Sequence, residues 1–211
     1  MQNTQKSKKN GCGCILIVII IALIFYIISL LISEMTVITN NKENEQNYTE
    51  IYSDTAVTSL DNFDKTNNMT LEQENAYKSA LAYISVLNFS KRGLIDQLEY
   101  EGYSNEAARV AVNALEVDWS EQALGSALNY LESMAFSKSG LIQQLEYEKF
   151  TNEEAVHAVN NCGADWKEQA AKCAKQYLDS MPFSRQELIE QLEYEGFTQS
   201  EAQYGASQVG Y

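Results

Sequence analysis

The chain has 211 residues, with 15 Lys and Arg against 29 Asp and Glu and a formal net charge of −14. That balance argues against a nucleic-acid-binding protein, whose phosphate contacts need Lys and Arg. A single proline (Pro182) and only ten glycines, beside segments dominated by Ala, Leu, Glu and Gln, predict an all-α chain.

The first 14 residues carry Lys6, Lys8 and Lys9 and lead into ILIVIIIALIFYIISLLI, residues 15–32, without one charge. Eighteen residues of helix span roughly 27 Å, about one bilayer core. Glu34, Glu43 and Glu45 come next, with Lys42 among them. The positive-inside bias therefore predicts a single-pass membrane protein, N-terminus in the cytoplasm and everything after residue 32 outside. A cleaved signal peptide would need a shorter apolar core and a small-x-small site, which the stretch after Ser29 does not offer. Cys12 and Cys14 stand before the apolar run, whereas a lipobox cysteine stands after it. S-acylation at the cytoplasmic border and two plain reduced thiols both fit their position.

Residues 33–69 are rich in Asn, Thr, Ser, Asp and Glu, and Ile51, Tyr52, Val57, Leu60 and Phe63 are too scattered to make a core. Such a segment reads as a flexible stalk, holding the C-terminal two-thirds of the chain roughly 30–40 Å from the membrane.

From residue 70 onward the chain repeats. QLEYE occurs at Gln97–Glu101, Gln144–Glu148 and Gln191–Glu195, a period of 47 residues, inside the longer matches that begin FSKRGLI, FSKSGLI and FSRQELI. A period of this length marks stacked helical units sharing a core. The units fall at 70–117, 118–164 and 165–211, each with three helices. Capping boxes at Thr70/Gln73, Asp118/Glu121 and Asp165/Glu168 open the first helices. Ser90, Ser137 and Ser184 open the second, with Glu187 completing a box only in the third copy. Ser104, Thr151 and Thr198 open the third. Gly102 and Gly196 sit where a left-handed residue ends the second helix, and Lys149 takes that place in the middle copy, so its turn must strain or end differently. Leu94, Ile95 and Leu98 share one helical face, as do their counterparts. The alanines of the third helices (Ala107, Ala108, Ala111; Ala155, Ala158) allow close approach. Trp119 and Trp166, each at the start of a unit, are placed to pack across the joint with the unit before. The chain stops at Tyr211, one residue short of the next Asp-Trp position, so the third unit is expected to end at its third helix.

Little here supports catalysis. His157 is the one histidine, and Val110 and Tyr204 occupy its place in the other units, which marks it as a tolerated substitution. No Ser/His/Asp set, metal-spaced His/Cys cluster, cofactor motif or phosphate-binding Gly-rich loop appears. Cys162 and Cys173 replace Leu115 and Ser126 of the preceding unit. A bridge between them would need Cα atoms within about 7 Å, which the spacing alone leaves open. The more informative residues are Glu99, Glu101, Glu146, Glu148, Glu193 and Glu195, in the last turn of each second helix, where they oppose the helix dipole. Two readings stand side by side: an acidic edge kept for a basic partner, and a harmless surface copied by duplication. From Leu71 to Tyr211 the array carries ten Lys and Arg and 22 Asp and Glu, a net of −12.

The unit A-x-x-x-A-x-x-Y-L, F-S-x-x-G-L-I-x-Q-L-E-Y-E-G-F, D-W-x-E-x-A resembles the host cell surface-exposed lipoprotein repeat, the Ltp family of phage superinfection-exclusion proteins. The match covers about Leu71 to Tyr211. The resemblance implies tandem helix-turn-helix-type units, a prophage or Gram-positive origin, and an activity that stops an incoming phage from delivering DNA across the host membrane. It also implies the phage tape-measure protein as partner, which the acidic edge would suit if the contacting stretch is basic. In one departure, a transmembrane anchor stands in place of the lipobox, so lipid attachment does not carry over; in another, there are three units, the last without a trailing Asp-Trp. A cell-surface adhesion or envelope-organising protein is the rival reading, and it predicts a wall or aggregation phenotype on deletion of the gene from uninfected cells.

Overall fold

The computed structural model describes residues 68–211. The expected anchor at 15–32 and nearly all of the expected stalk lie outside the described residues, and no helix among the described residues is long and apolar enough to cross a membrane. The described residues form nine α-helices and no strand: α1 Leu71–Val86, α2 Lys91–Tyr100, α3 Asn105–Ala114, α4 Trp119–Ser133, α5 Lys138–Tyr147, α6 Asn152–Asn161, α7 Trp166–Ser180, α8 Arg185–Tyr194 and α9 Gln199–Gln208. They make three units of three helices.

Side-chain caps set the boundaries. Thr70, Thr151, Ser184 and Thr198 form full reciprocal boxes with Gln73, Glu154, Glu187 and Glu201. Asp118 and Asp165 cap differently from the expected box. One carboxylate oxygen accepts two backbone N–H groups, from Ser120 and Glu121 and from Lys167 and Glu168, while the Glu168 side chain turns to the Tyr204 hydroxyl at 2.5 Å. Each cap contributes about 1 kcal/mol.

Within a unit the third helix lies against both the first and the second. Its alanines permit this, since Ala107, Ala108, Ala111, Ala155 and Ala158 are essentially fully buried. In the middle unit they pack with Ala123 and Ala127 of α4, Leu141 and Leu145 of α5, and Phe150. The third unit repeats this core with Ala170, Ala174, Leu188, Leu192, Phe197, Ala202 and Ala206. Gly205 replaces the alanine of the other units and brings α9 so near α7 that an added Cβ would lie 2.7 Å from the Ala170 carbonyl oxygen. An edge-to-face pair closes the end of each first helix: Tyr83 with Phe89, Tyr130 with Phe136 and Tyr177 with Phe183, ring centroids 5.4–5.6 Å apart. Such a pair contributes about 0.5–1.5 kcal/mol beyond its buried area.

Units join end to end through their second helices. The Ser90 hydroxyl, capping the start of α2, donates to the Glu148 carbonyl at the end of α5 at 2.5 Å, and Ser137 donates to the Glu195 carbonyl at 2.6 Å. Beside these bonds the Phe89 N–H donates to Gln122 and the Phe136 N–H to Gln169. Trp166 packs against the core of the middle unit, the cross-joint role expected of it. At the ends of α5 and α8 the negative end of one helix dipole therefore faces the positive end of the next, and the last turns of both helices hold no basic residue. Lys149 adopts the left-handed conformation itself, at φ 71°, a cost of about 1 kcal/mol. Its ammonium pairs with Asp96 across the first joint. At the second joint the same place is taken by Gly196, where an added Cβ would press on the Ser139 hydroxyl and disturb its bond to the Gly196 carbonyl.

Candidate functional site

The repeated QLEYE motif divides into residues that build the fold and residues that face outward. Leu98, Leu145 and Leu192 are fully buried, each contributing about 1.5–3 kcal/mol. The amides of Gln97, Gln144 and Gln191 donate to the hydroxyls of Tyr83, Tyr130 and Tyr177 at 3.1–3.2 Å. Those hydroxyls donate in turn to the carboxylates of Glu101, Glu148 and Glu195. Burial pushes all three tyrosine pKa values well up, and the carboxylate beside each adds to the effect. The phenols thus remain protonated donors, and a Tyr–Gln–Glu lock ties the first helix of each unit to the end of its second.

The six glutamates expected to form one acidic edge therefore have two different surroundings. Glu101, Glu148 and Glu195 close the tyrosine locks; Glu148 and Glu195 are half-buried, and a neighbouring unit's serine takes each backbone carbonyl. Glu146 and Glu193 are exposed and Glu99 is half-exposed. Glu99 and Glu146 accept from the amides of Asn105 and Asn152. Burial raises the Glu148 pKa above its ordinary 4.5, opposed by the bonds from Tyr130 and Gln144. The folded chain then holds that proton more tightly than the unfolded chain, so stability from this group is largest at low pH and falls as pH rises from 4.5 through the raised value. Glu148→Gln should flatten that part of the profile, with stability at neutral pH unchanged or slightly higher, as thermal melts from about pH 4 to 7 would read.

Beside the outward glutamates stand three residues that sequence reasoning passed over. Tyr100, Tyr147 and Tyr194 are 85 %, 65 % and 75 % exposed. The available signal was identity between units at a position off the buried face. At other outward positions of the same helices the units differ, as Arg92, Ser139 and Gln186 do.

Cys173 lies close to the third tyrosine lock, where the Glu195 carboxylate acts on its thiol. Cys162 and Cys173 are free thiols. The Cys162 sulfur donates to the Val159 carbonyl, and Cys173 belongs to the core of the third unit, where burial pushes its thiol up to about 12. His157 lies exposed on α6. Among the described residues no group of three or more His, Cys, Asp or Glu is placed to hold a metal ion.

The family described as Lipoprotein_Ltp, host cell surface-exposed lipoprotein, matches three times, over residues 71–115, 118–162 and 165–209. A search of curated proteins found no match. Among solved structures, Ltp, a superinfection exclusion protein from the Streptococcus thermophilus temperate phage TP-J34, is 33 % identical, with a TM-score of 0.41, over 44 % of this chain and 97 % of that chain. The three family matches coincide with the three structural units, helix for helix, and the chain belongs to the host cell surface-exposed lipoprotein (Ltp) family.

Proposed function

We propose that this chain is a surface-exposed superinfection-exclusion protein, held at the bacterial membrane by residues 15–32, that stops an incoming phage from delivering its DNA. The observation that carries the reading is the threefold family match across the whole helical array. The mechanism is steric and electrostatic, without turnover. The array, net −12 over Leu71–Tyr211, draws in a basic stretch of an injected phage component and holds it outside the membrane. In this reading the component is the phage tape-measure protein. Of the six glutamates, Glu99, Glu146 and Glu193 meet the partner, while Glu101, Glu148 and Glu195 hold the helices that present them.

Cells expressing the chain should adsorb phage normally yet block DNA entry, with a lowered efficiency of plating and reduced potassium efflux on infection. Full sensitivity across a diverse phage panel would overturn the reading.

A further inference from the structure

We propose that Tyr100, Tyr147 and Tyr194 are a repeated recognition strip for a basic protein segment, each ring receiving a Lys or Arg side chain that the acidic last turn of its helix also attracts. The inference deepens the proposed binding role and rests on it.

The tyrosines have no task in the fold. Gln97, Leu98 and Glu101 and their counterparts supply the lock and the core, whereas Tyr100, Tyr147 and Tyr194 are 65 % exposed or more. Duplication alone does not explain their sameness. On the same helices the exposed positions Arg92, Ser139 and Gln186 have diverged, while the ring has stayed in every unit. The joints fix the geometry. Because the end of α5 is bonded to the start of α2 and the end of α8 to the start of α5, the three rings recur once per stacked helix, separated by about 15 Å of ten-residue helix plus a joint.

Charge selects the occupant. The last turns of α2, α5 and α8 contain no basic residue and the array is strongly acidic, so a second copy or an anionic membrane surface is repelled and a cationic segment attracted. An aromatic ring flanked by a carboxylate suits Lys or Arg, since the π face and the carboxylate both attract the cation. The chain already contains one such arrangement, where the Lys167 ammonium stands 5.8 Å from the Tyr204 ring centroid and the Tyr204 hydroxyl bonds Glu168.

The test uses the full-length chain in uncharged nanodiscs, titrated with a helical Arg/Ala peptide and with a Glu/Ala peptide as control. Simultaneous Tyr→Ala substitution at the three positions should weaken binding of the Arg peptide about tenfold or more, and Tyr→Phe should keep it within about threefold. Circular dichroism should show unchanged helix in both variants. The strip is overturned if the Tyr→Ala variant binds the Arg peptide as tightly as the parent, or if the substitution changes only self-association in sedimentation. Plating assays separate the two readings. A parent chain that fails to protect cells removes phage exclusion and leaves the peptide result standing, whereas a Tyr→Ala variant that protects fully overturns the strip.

Discussion

Glutamate in place of Gly140 should split the unfolding of the array into two transitions, with the third unit melting first. Gly140 lies at the second joint, where an added Cβ would stand 2.9 Å from the Ser137 hydroxyl and 3.3 Å from the Glu195 carbonyl. That carbonyl is bonded to Ser137. A glutamate there would do to Ser137 what Glu187 does to Ser184, whose N–H and hydroxyl it binds at 3.0 and 2.8 Å. The serine would then be occupied within its own helix and the end of α8 displaced. Overpacking of this kind costs about 1–3 kcal/mol, charged here to the joint. The middle unit itself should not weaken, because replacing a helical glycine favours the helix by up to about 1 kcal/mol. Stacked repeats unfold together only while their interfaces outweigh the differences between units. Calorimetry, with Trp166 fluorescence as a local probe of the same joint, should resolve the separation. A single transition at the parent temperature would show that the serine bond does not couple the units.

The contrast between Gly140 and Glu187 also explains how much the sequence could disclose. Helix starts were legible because Thr, Ser and Asp caps act locally, within three residues, and the buried face of α2, α5 and α8 came from Leu spacing alone. The Glu187 box was visible too, but its reason was not. Ser90 and Ser137 have glycine three residues on because each reaches a carbonyl 58 positions away, and no local pattern reports that distance. The acidic edge was half legible for a related reason. Carboxylates at a helix end look unfavourable in an isolated helix, yet at the ends of α5 and α8 the next element in space is another helix start, and Tyr83, Tyr130 and Tyr177 donate to three of the six. Those tyrosines pack on the core of each unit, Tyr83 buried and Tyr130 and Tyr177 partly so, with a hydroxyl that needs a partner. Lys149 stands out in the sequence as the wrong residue for its turn, and its resolution as a left-handed residue paired with Asp96 depends on a contact across units.

Charge reversal at two neighbouring glutamates should separate the roles that one motif combines. Glu146→Lys changes an exposed side chain that accepts from the Asn152 amide at 2.8 Å. Its effect on stability should stay within about 0.5 kcal/mol, because the side chain is exposed. Glu148→Lys removes the acceptor of the Tyr130 hydroxyl and places an ammonium in a half-buried position at the joint. Losing a hydrogen bond to a charged group and leaving its donor unmatched costs about 2–3 kcal/mol. Urea denaturation should therefore leave Glu146→Lys near the parent midpoint and move Glu148→Lys to a clearly lower one. Function should sort the opposite way once folding is taken into account. At temperatures where both variants remain folded, the proposed function requires Glu146→Lys to lose more affinity for a basic peptide, because its carboxylate is the exposed one. Equal stability losses at the two positions would mean that the Tyr130 lock does not hold the end of α5, and the division of the motif into structural and exposed halves would fail with it.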